Sequence, residues 1–203
     1  MTPLNANTPG FPDKAILRRS ILARRAGLSS DEVSRESLAA SALVEMLPQW
    51  RGAREVMVYF AFRGEIKTSA LLAGLWERGV RVLAPRCRPG EAGALDVACV
   101  TCFEELAPGA YGILEPHPDA CPALSSFAPD AALIPAVAYD RRGGRLGFGQ
   151  GYYDRLLAGP GFERTFLIGL AHPFQVVERL PLDPWDRPVH AVITGDEIIR
   201  VGD

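Results

Sequence analysis

The sequence predicts an α/β fold of three layers built on a central, largely parallel sheet. Three observations carry that expectation. Short apolar runs of strand length alternate with capped helical segments along the chain, the pattern of repeated βα units. The first such run, Arg54–Phe62, is apolar on both faces, with Val56, Val58 and Phe60 on one side and Met57, Tyr59 and Ala61 on the other. That is how a central strand covered from both sides reads. A glycine-rich turn at 143–151 then leads from a buried strand-like run at 130–139 into a helical pattern at 152–157.

Each element follows in order. Asp13 is placed to cap a helix reaching Arg25, with Gly27 as its stop. Ser29-Ser-Asp-Glu32 is a capping box for a second helix, which Pro48 is expected to end. After the Arg54–Phe62 strand, Thr68 is placed to cap a helix over Ser69–Arg78, closed by Gly79. Further strands are expected at Val80–Ala84, Leu95–Phe103, Ala131–Ala138 and Thr165–Ala171, with one or two more in Ala191–Val201. Prolines and glycines are dispersed, except for a cluster at Arg86–Gly93 that reads as a surface loop. No repeat, low-complexity tract or linker interrupts the chain. The expectation is a flexible leader, 1–12, and a single domain, 13–203.

Composition narrows the function classes. Hydrophobic residues make up 48% of the 203 and charged residues 23%, ordinary for a soluble globular protein. A net charge of −2 argues against a general nucleic-acid coat or a binder of anionic membranes. No apolar run reaches membrane-spanning length, and the N-terminus lacks a basic segment followed by an apolar one. A cytoplasmic protein with no obligate protein partner is expected. Cys99 and Cys102 have C-x-x-C spacing, but within a strand-like run and without a second pair, so they read as reduced strand cysteines. His117, His172 and His190 match no metal-binding spacing.

The chemistry concentrates in Gly143-Gly-Arg-Leu-Gly-Phe-Gly-Gln-Gly-Tyr-Tyr-Asp-Arg155. Glycines at 147, 149 and 151 entering a helix expose backbone N–H groups at the positive end of the helix dipole, where phosphate commonly binds. The spacing is neither the dinucleotide G-x-G-x-x-G nor the P-loop. Three glycines can also make a plain tight turn, but turn chemistry alone does not call for Arg145, Tyr152, Tyr153 and Asp154. Lys14 and Arg18, four apart, share a helix face, which read alone is a solvated basic face continued by Arg19, Arg24 and Arg25. Glu65 follows the central strand, either as a surface glutamate or at the carboxyl end where open α/β sheets bind ligands.

The longer string from Pro135 to Leu157 resembles the signature of the 5-formyltetrahydrofolate cyclo-ligases, roughly P-G-x-A-F-D-x-x-G-x-R-L-G-x-G-x-G-Y-Y-D, with Ala136 and Tyr139 in place of Gly and Phe. Matching motifs run from Lys14 to Asp186. The resemblance implies an ATP- and Mg²⁺-dependent conversion of 5-formyltetrahydrofolate to 5,10-methenyltetrahydrofolate, on a fold similar to that of sugar-phosphate isomerases and CoA transferases. It implies that Lys14, Arg18, Arg145, Leu146, Gly147, Phe148, Gly149, Gln150, Gly151, Tyr152 and Tyr153 bind ATP. It further implies that Glu65, Tyr152 and Tyr153 contact the folate, that Arg145 and Tyr152 serve catalysis, and that Asp154 and Asp186 hold the metal. Ala61 stands where the family commonly has serine, and His190 where it usually has a second aspartate. Gln175 also fits a family glutamine. Two other readings are a non-catalytic nucleotide-binding relative and an isomerase or acyl-CoA transferase needing no ATP.

Overall fold

The computed structural model describes residues 13–183 and 186–202. The expected leader, 1–12, lies outside the described residues. Asp13 accepts hydrogen bonds from the amides of Ala15 and Ile16 and starts helix α1 (Lys14–Ala26), which Gly27 ends. The capping box forms as the sequence demands: Ser29 Oγ accepts from the Glu32 amide at 3.2 Å, and Glu32 accepts from the Ser29 amide at 2.8 Å. It opens α2 (Ser30–Val44). Pro48 does not end that helix but starts a short one, α3 (Pro48–Arg51), since proline lacks only an N–H that the first turn leaves unused.

Strand β1 (Glu55–Met57) follows, then α4 (Ser69–Glu77) and β2 (Arg81–Cys87). Thr68 occupies the N-cap position of α4 but makes no side-chain capping bond; its hydroxyl donates instead to the Tyr59 carbonyl at 2.7 Å, tying the loop after β1 to the helix. The stretch 86–93 is a loop only from Arg88 onward, because β2 continues through Cys87 to pair with β3 (Leu95–Cys99). A hairpin of β4 (Leu106–Pro108) and β5 (Leu114–Pro116) comes next. The single strand expected over Ala131–Ala138 divides into β6 (Ala131–Ile134) and β7 (Ala138–Asp140). Proline between them, at 135, has no N–H for a continuous ladder. Then come β8 (Arg145–Leu146), α5 (Tyr152–Ala158), β9 (Phe166–Leu170), β10 (Val176–Val177), β11 (Ala191–Ile193) and β12 (Ile198–Arg200).

The main sheet has seven strands in the order β12-β11-β9-β6-β1-β2-β3. The five inner strands run parallel; β12 and β3 pair antiparallel at its edges. The period of two sorts its side chains. Val56, Val82, Leu133 and Ile168 face one core with Ala40 and Val44 of α2 and Leu71, Leu72 and Leu75 of α4. Met57, Leu83, Ile134 and Leu167 face the other, with Leu157 of α5 and Phe162. Helices therefore cover both faces, and three layers result. A second sheet, β10-β7-β8, packs Val137, Ala138 and Leu146 against Ile21 of α1. Among the described residues no helix is long and apolar enough to cross a membrane.

Candidate active site

A cavity of about 470 Å³ opens beyond the carboxyl ends of β1, β2 and β6, where Tyr59, Phe60, Pro85, Cys87 and Pro135 form its floor. Parallel strands leave their carboxyl ends clear of helix crossings, so loops there converge on a ligand. The cavity's lining includes every residue that the resemblance assigns to ATP, folate, catalysis or metal: Lys14 and Arg18 from α1, Glu65 from the loop after β1, Arg145 and Leu146 of β8, Gly147, Phe148, Gly149, Gln150 and Gly151 of the glycine turn, Tyr152, Tyr153 and Asp154 of α5, and Asp186.

Within Gly143–Gly151, two groups of glycine serve different ends. A Cβ on Gly143 would stand 2.3 Å from the Val189 carbonyl, and one on Gly144 would stand 2.7 Å from the Asp140 carboxylate. Asp140, 1% exposed, accepts from the amides of Gly144 (2.7 Å) and Leu180 (2.9 Å) and so locks the β7–β8 turn. The later glycines face the cavity. An added Cβ on Gly147 would meet nothing within 4 Å, whereas Gly149 has a φ of +97° that side chains rarely adopt. Arg18 Nε donates to the Gly147 carbonyl at 2.8 Å, and Arg155 donates to the carbonyls of Gln150 and Gly93. Arginine side chains thus hold two carbonyls of the turn, those of Gly147 and Gln150. The turn enters α5 from β8 of the small sheet, with Gly151 at the N-cap.

Arg145 pairs with Asp154; its side chain is 6% exposed and its Nε has no protein partner among the described residues. Asp154 lies in the first turn of α5 and is not the cap, which removes the helix-cap reading of that residue. Lys14 Nζ reaches Asp183 Oδ2 at 3.0 Å. Asp186 accepts from the Asp183 amide at 2.8 Å and lines the cavity. Glu65 is 7% exposed, takes the Phe62 amide at 3.0 Å, and faces Arg25. Burial pushes the Glu65 carboxyl up to about 7 against the opposing pull of Arg25 and the Phe62 N–H. Burial likewise raises Tyr153, with the Glu65 charge adding to it. The Tyr152 hydroxyl stands 3.5 Å from that of Tyr111, a residue at the tip of the β4–β5 hairpin in a left-handed conformation.

Gln175, His190, Cys99 and Cys102, also noted in the sequence, fall outside the cavity's lining. Gln175 is buried and donates to the Val137 carbonyl at 2.9 Å, a packing role. His190 Nδ1 accepts from the Leu167 amide at 2.8 Å, and its ring stacks on Phe166. Cys102, like Cys99, Cys87 and Cys121, is a free thiol; Cys87 alone of these lines the cavity, its thiol pushed up to about 11 by burial and by Glu115. The sequence reading had no signal for Tyr111, Asp183 or Arg63, which line the cavity only because separate segments meet there. Nor did it separate Arg25, 1% exposed, from the solvated face of α1.

The chain is similar to known proteins in both sequence and fold. A family profile described as the 5-formyltetrahydrofolate cyclo-ligase family matches residues 11–195. The 5-formyltetrahydrofolate cyclo-ligase of Escherichia coli K12 is 34% identical over 175 residues, covering 86% of this chain and 96% of that one. The solved structure of Aquifex aeolicus 5,10-methenyltetrahydrofolate synthetase superposes with a TM-score of 0.75 at 32% identity, over 94% of this chain and 93% of that one. A 5,10-methenyltetrahydrofolate synthetase from Mycoplasma pneumoniae gives 0.68 at 26% identity, over 91% and 100%. With its profile, its relatives and its architecture in accord, the chain belongs to the 5-formyltetrahydrofolate cyclo-ligase family of enzymes.

Proposed function

We propose that this enzyme closes 5-formyltetrahydrofolate to 5,10-methenyltetrahydrofolate at the expense of ATP, with Mg²⁺ as the metal. The observation that carries the reading is the convergence of α1, the loop after β1, the glycine turn, α5 and the residues Asp183 and Asp186 on one cavity. The formyl oxygen attacks the γ-phosphorus and ADP departs. N10 then bonds to the formyl carbon, the C–O bond breaks to release phosphate, and the N10 proton is lost. A formamide oxygen leaves poorly and a phosphate well, so positioning and charge neutralisation supply most of what the protein must add.

In this scheme Lys14, Arg18, Arg145 and the backbone N–H groups of Gly147–Gly151 hold the phosphates, while Glu65 accepts hydrogen bonds from the folate. Tyr152 and Tyr153 supply a flat wall or a hydroxyl beside it. Asp154 and Asp186 offer hard oxygen ligands to the same cavity, a donor set suited to Mg²⁺, which fills its shell with phosphate oxygens and water. Among the described residues no three metal-ligating side chains cluster, as fits an ion held jointly with a nucleotide. When bound, the metal supplies charge neutralisation at the phosphates. Four free thiols fit a cytoplasmic location. Residues 13–203 act as one catalytic domain.

The direct test is incubation with 5-formyltetrahydrofolate, ATP and Mg²⁺, omitting one at a time and following the methenyl absorption band. Product in the absence of ATP would overturn the reading in favour of an isomerase or transferase chemistry. Two variants probe its phosphate half. Lys14→Ala is expected to raise the KM for ATP roughly tenfold and to leave the KM for folate within about twofold, the size of one lost charge contact. Kinetics in each substrate decide it, and a loss confined to folate would contradict the assignment. Gly147→Val is expected to weaken ATP binding by about tenfold or more, with the melting temperature moving only a few degrees, because its Cβ has open space. Gly149→Val is the poorer probe, since its φ would strain any side chain.

A further inference from the structure

Behind the Glu65 wall of the cavity lies a buried cation that the scheme above does not use. Arg25, near the end of α1, is 1% exposed and is absent from the cavity's lining. Its Nη1 faces Glu65 Oε1 at 3.5 Å, and its guanidinium stands 5.5 Å from the centre of the Phe148 ring. Its Nε and Nη2 have no protein partner among the described residues. A desolvated guanidinium with one long ionic contact weakens a fold more than an apolar side chain of similar volume would, so stability alone does not account for it.

The surroundings brace the loop that carries Glu65. Gly64, with φ of +75°, packs so closely on α1 that a Cβ there would stand 3.2 Å from the Arg25 carbonyl. From the other side His172 Nε2 donates to the Gly64 carbonyl at 2.9 Å. Arg25 therefore touches the folate-side loop and, through Phe148, the glycine turn.

We infer that Arg25 is a positioning residue: it holds the Glu65 carboxylate at the cavity wall as an acceptor for substrate N–H groups and joins that loop to the glycine turn. The inference rests on the proposed contact between Glu65 and the folate. The groups facing Glu65 are Arg25 of α1, Tyr59 after β1, Tyr139 of β7 and Tyr153 of α5, together with the Phe62 N–H of its own loop, while Arg63 of that loop acts on Arg25. Arg25 and the Phe62 N–H favour its ionised form, and Arg25 is the larger of these two influences. Removing Arg25 should thus move Glu65 titration to higher pH.

The test follows the Glu65 side-chain carboxyl by carbon NMR across pH, assigned with Glu65→Gln, in the wild-type protein, Arg25→Met and Arg25→Lys. The midpoint is expected to rise by about one unit or more in Arg25→Met and by less than about half a unit in Arg25→Lys. In parallel, the KM for 5-formyltetrahydrofolate at neutral pH should rise roughly tenfold in Arg25→Met while that for ATP changes less than about twofold. An unmoved Glu65 midpoint overturns the inference, as does an equal rise in both KM values with a fallen melting temperature. Should Arg25→Met fail to fold, Arg25→Gln carries the same comparison. The titration needs no turnover, so it decides the role of Arg25 even in a chain found to lack the proposed activity.

Discussion

Replacing Arg145 by methionine is expected to lower turnover by about 10²–10³-fold in a protein that still folds. The argument is electrostatic. Arg145 presents a guanidinium to the cavity from β8 with only 6% of its side chain exposed, and a charge so shielded acts on a developing anion far more strongly than one in water. Its one carboxylate partner, Asp154, is 40% exposed, so water can take over when the cation is gone. Loss of the pair itself should cost the fold little, as for half-exposed ion pairs generally. Arg145→Lys should fall between wild type and Arg145→Met, because one ammonium cannot face Asp154 and a phosphate in the planar fork of an arginine. Single-turnover rates with both substrates saturating, together with thermal melts, check this. A folded Arg145→Met variant within about threefold of wild-type turnover would reduce Arg145 to a structural partner of Asp154.

The parts of the fold that were legible in the sequence are those with a local cause. Asp13 and the Ser29–Glu32 box satisfy amides two or three residues away, so their helices start where composition says. The two-faced apolar run at 54–62 was legible only in part: β1 is confined to Glu55–Met57, with Val56 and Met57 in opposite cores as parity demands, but beyond it Tyr59 packs with Val56 and Val58 and not with Met57. What was misread depends on distant partners. Thr68 looks like a cap, yet its hydroxyl is better placed on the Tyr59 carbonyl. Pro48 looks like a terminator, yet the chain turns back into α3 there so that Trp50 is fully buried in the core. The run 130–139 looks like one strand, yet its two halves belong to different sheets.

The same division holds in the site. The glycine turn announces itself because its unusual composition is consecutive. Arg25 does not, since a cationic residue in a cationic helix carries no mark of burial until Gly64 and Phe148 close over it. Asp183 is a further case: its ion pair with Lys14 joins residues from nearly opposite ends of the chain, a contact that only the tertiary fold creates. Asp140, inside the motif itself, is a buried turn lock: the amides of Arg142 and Gly144 are local partners, but that of Leu180 is invisible without the return of the chain.

Asp154→Asn and Asp186→Asn are expected each to lower turnover by about tenfold or more and to shift the magnesium optimum upward, since each removes one anionic ligand of the proposed ion. Asparagine keeps an oxygen of the same reach, which makes the pair informative. Asp186→Asn can still accept the Asp183 amide, so that hydrogen bond persists and only the charge is lost. Asp154→Asn does not disturb a cap, because Gly151 occupies that position; it does leave the Arg145 guanidinium facing an uncharged partner. The two effects can therefore be separated. If Asp154 serves only to neutralise Arg145, the loss should be the same at every magnesium concentration. If it shares one ion with Asp186, excess magnesium should recover part of the activity, and the double variant should lose less than the product of the single losses, because both act on one bound metal. Turnover measured across magnesium concentrations for the two single variants and the double variant settles this. Independent, fully multiplicative losses with an unchanged magnesium optimum would remove both aspartates from the metal site.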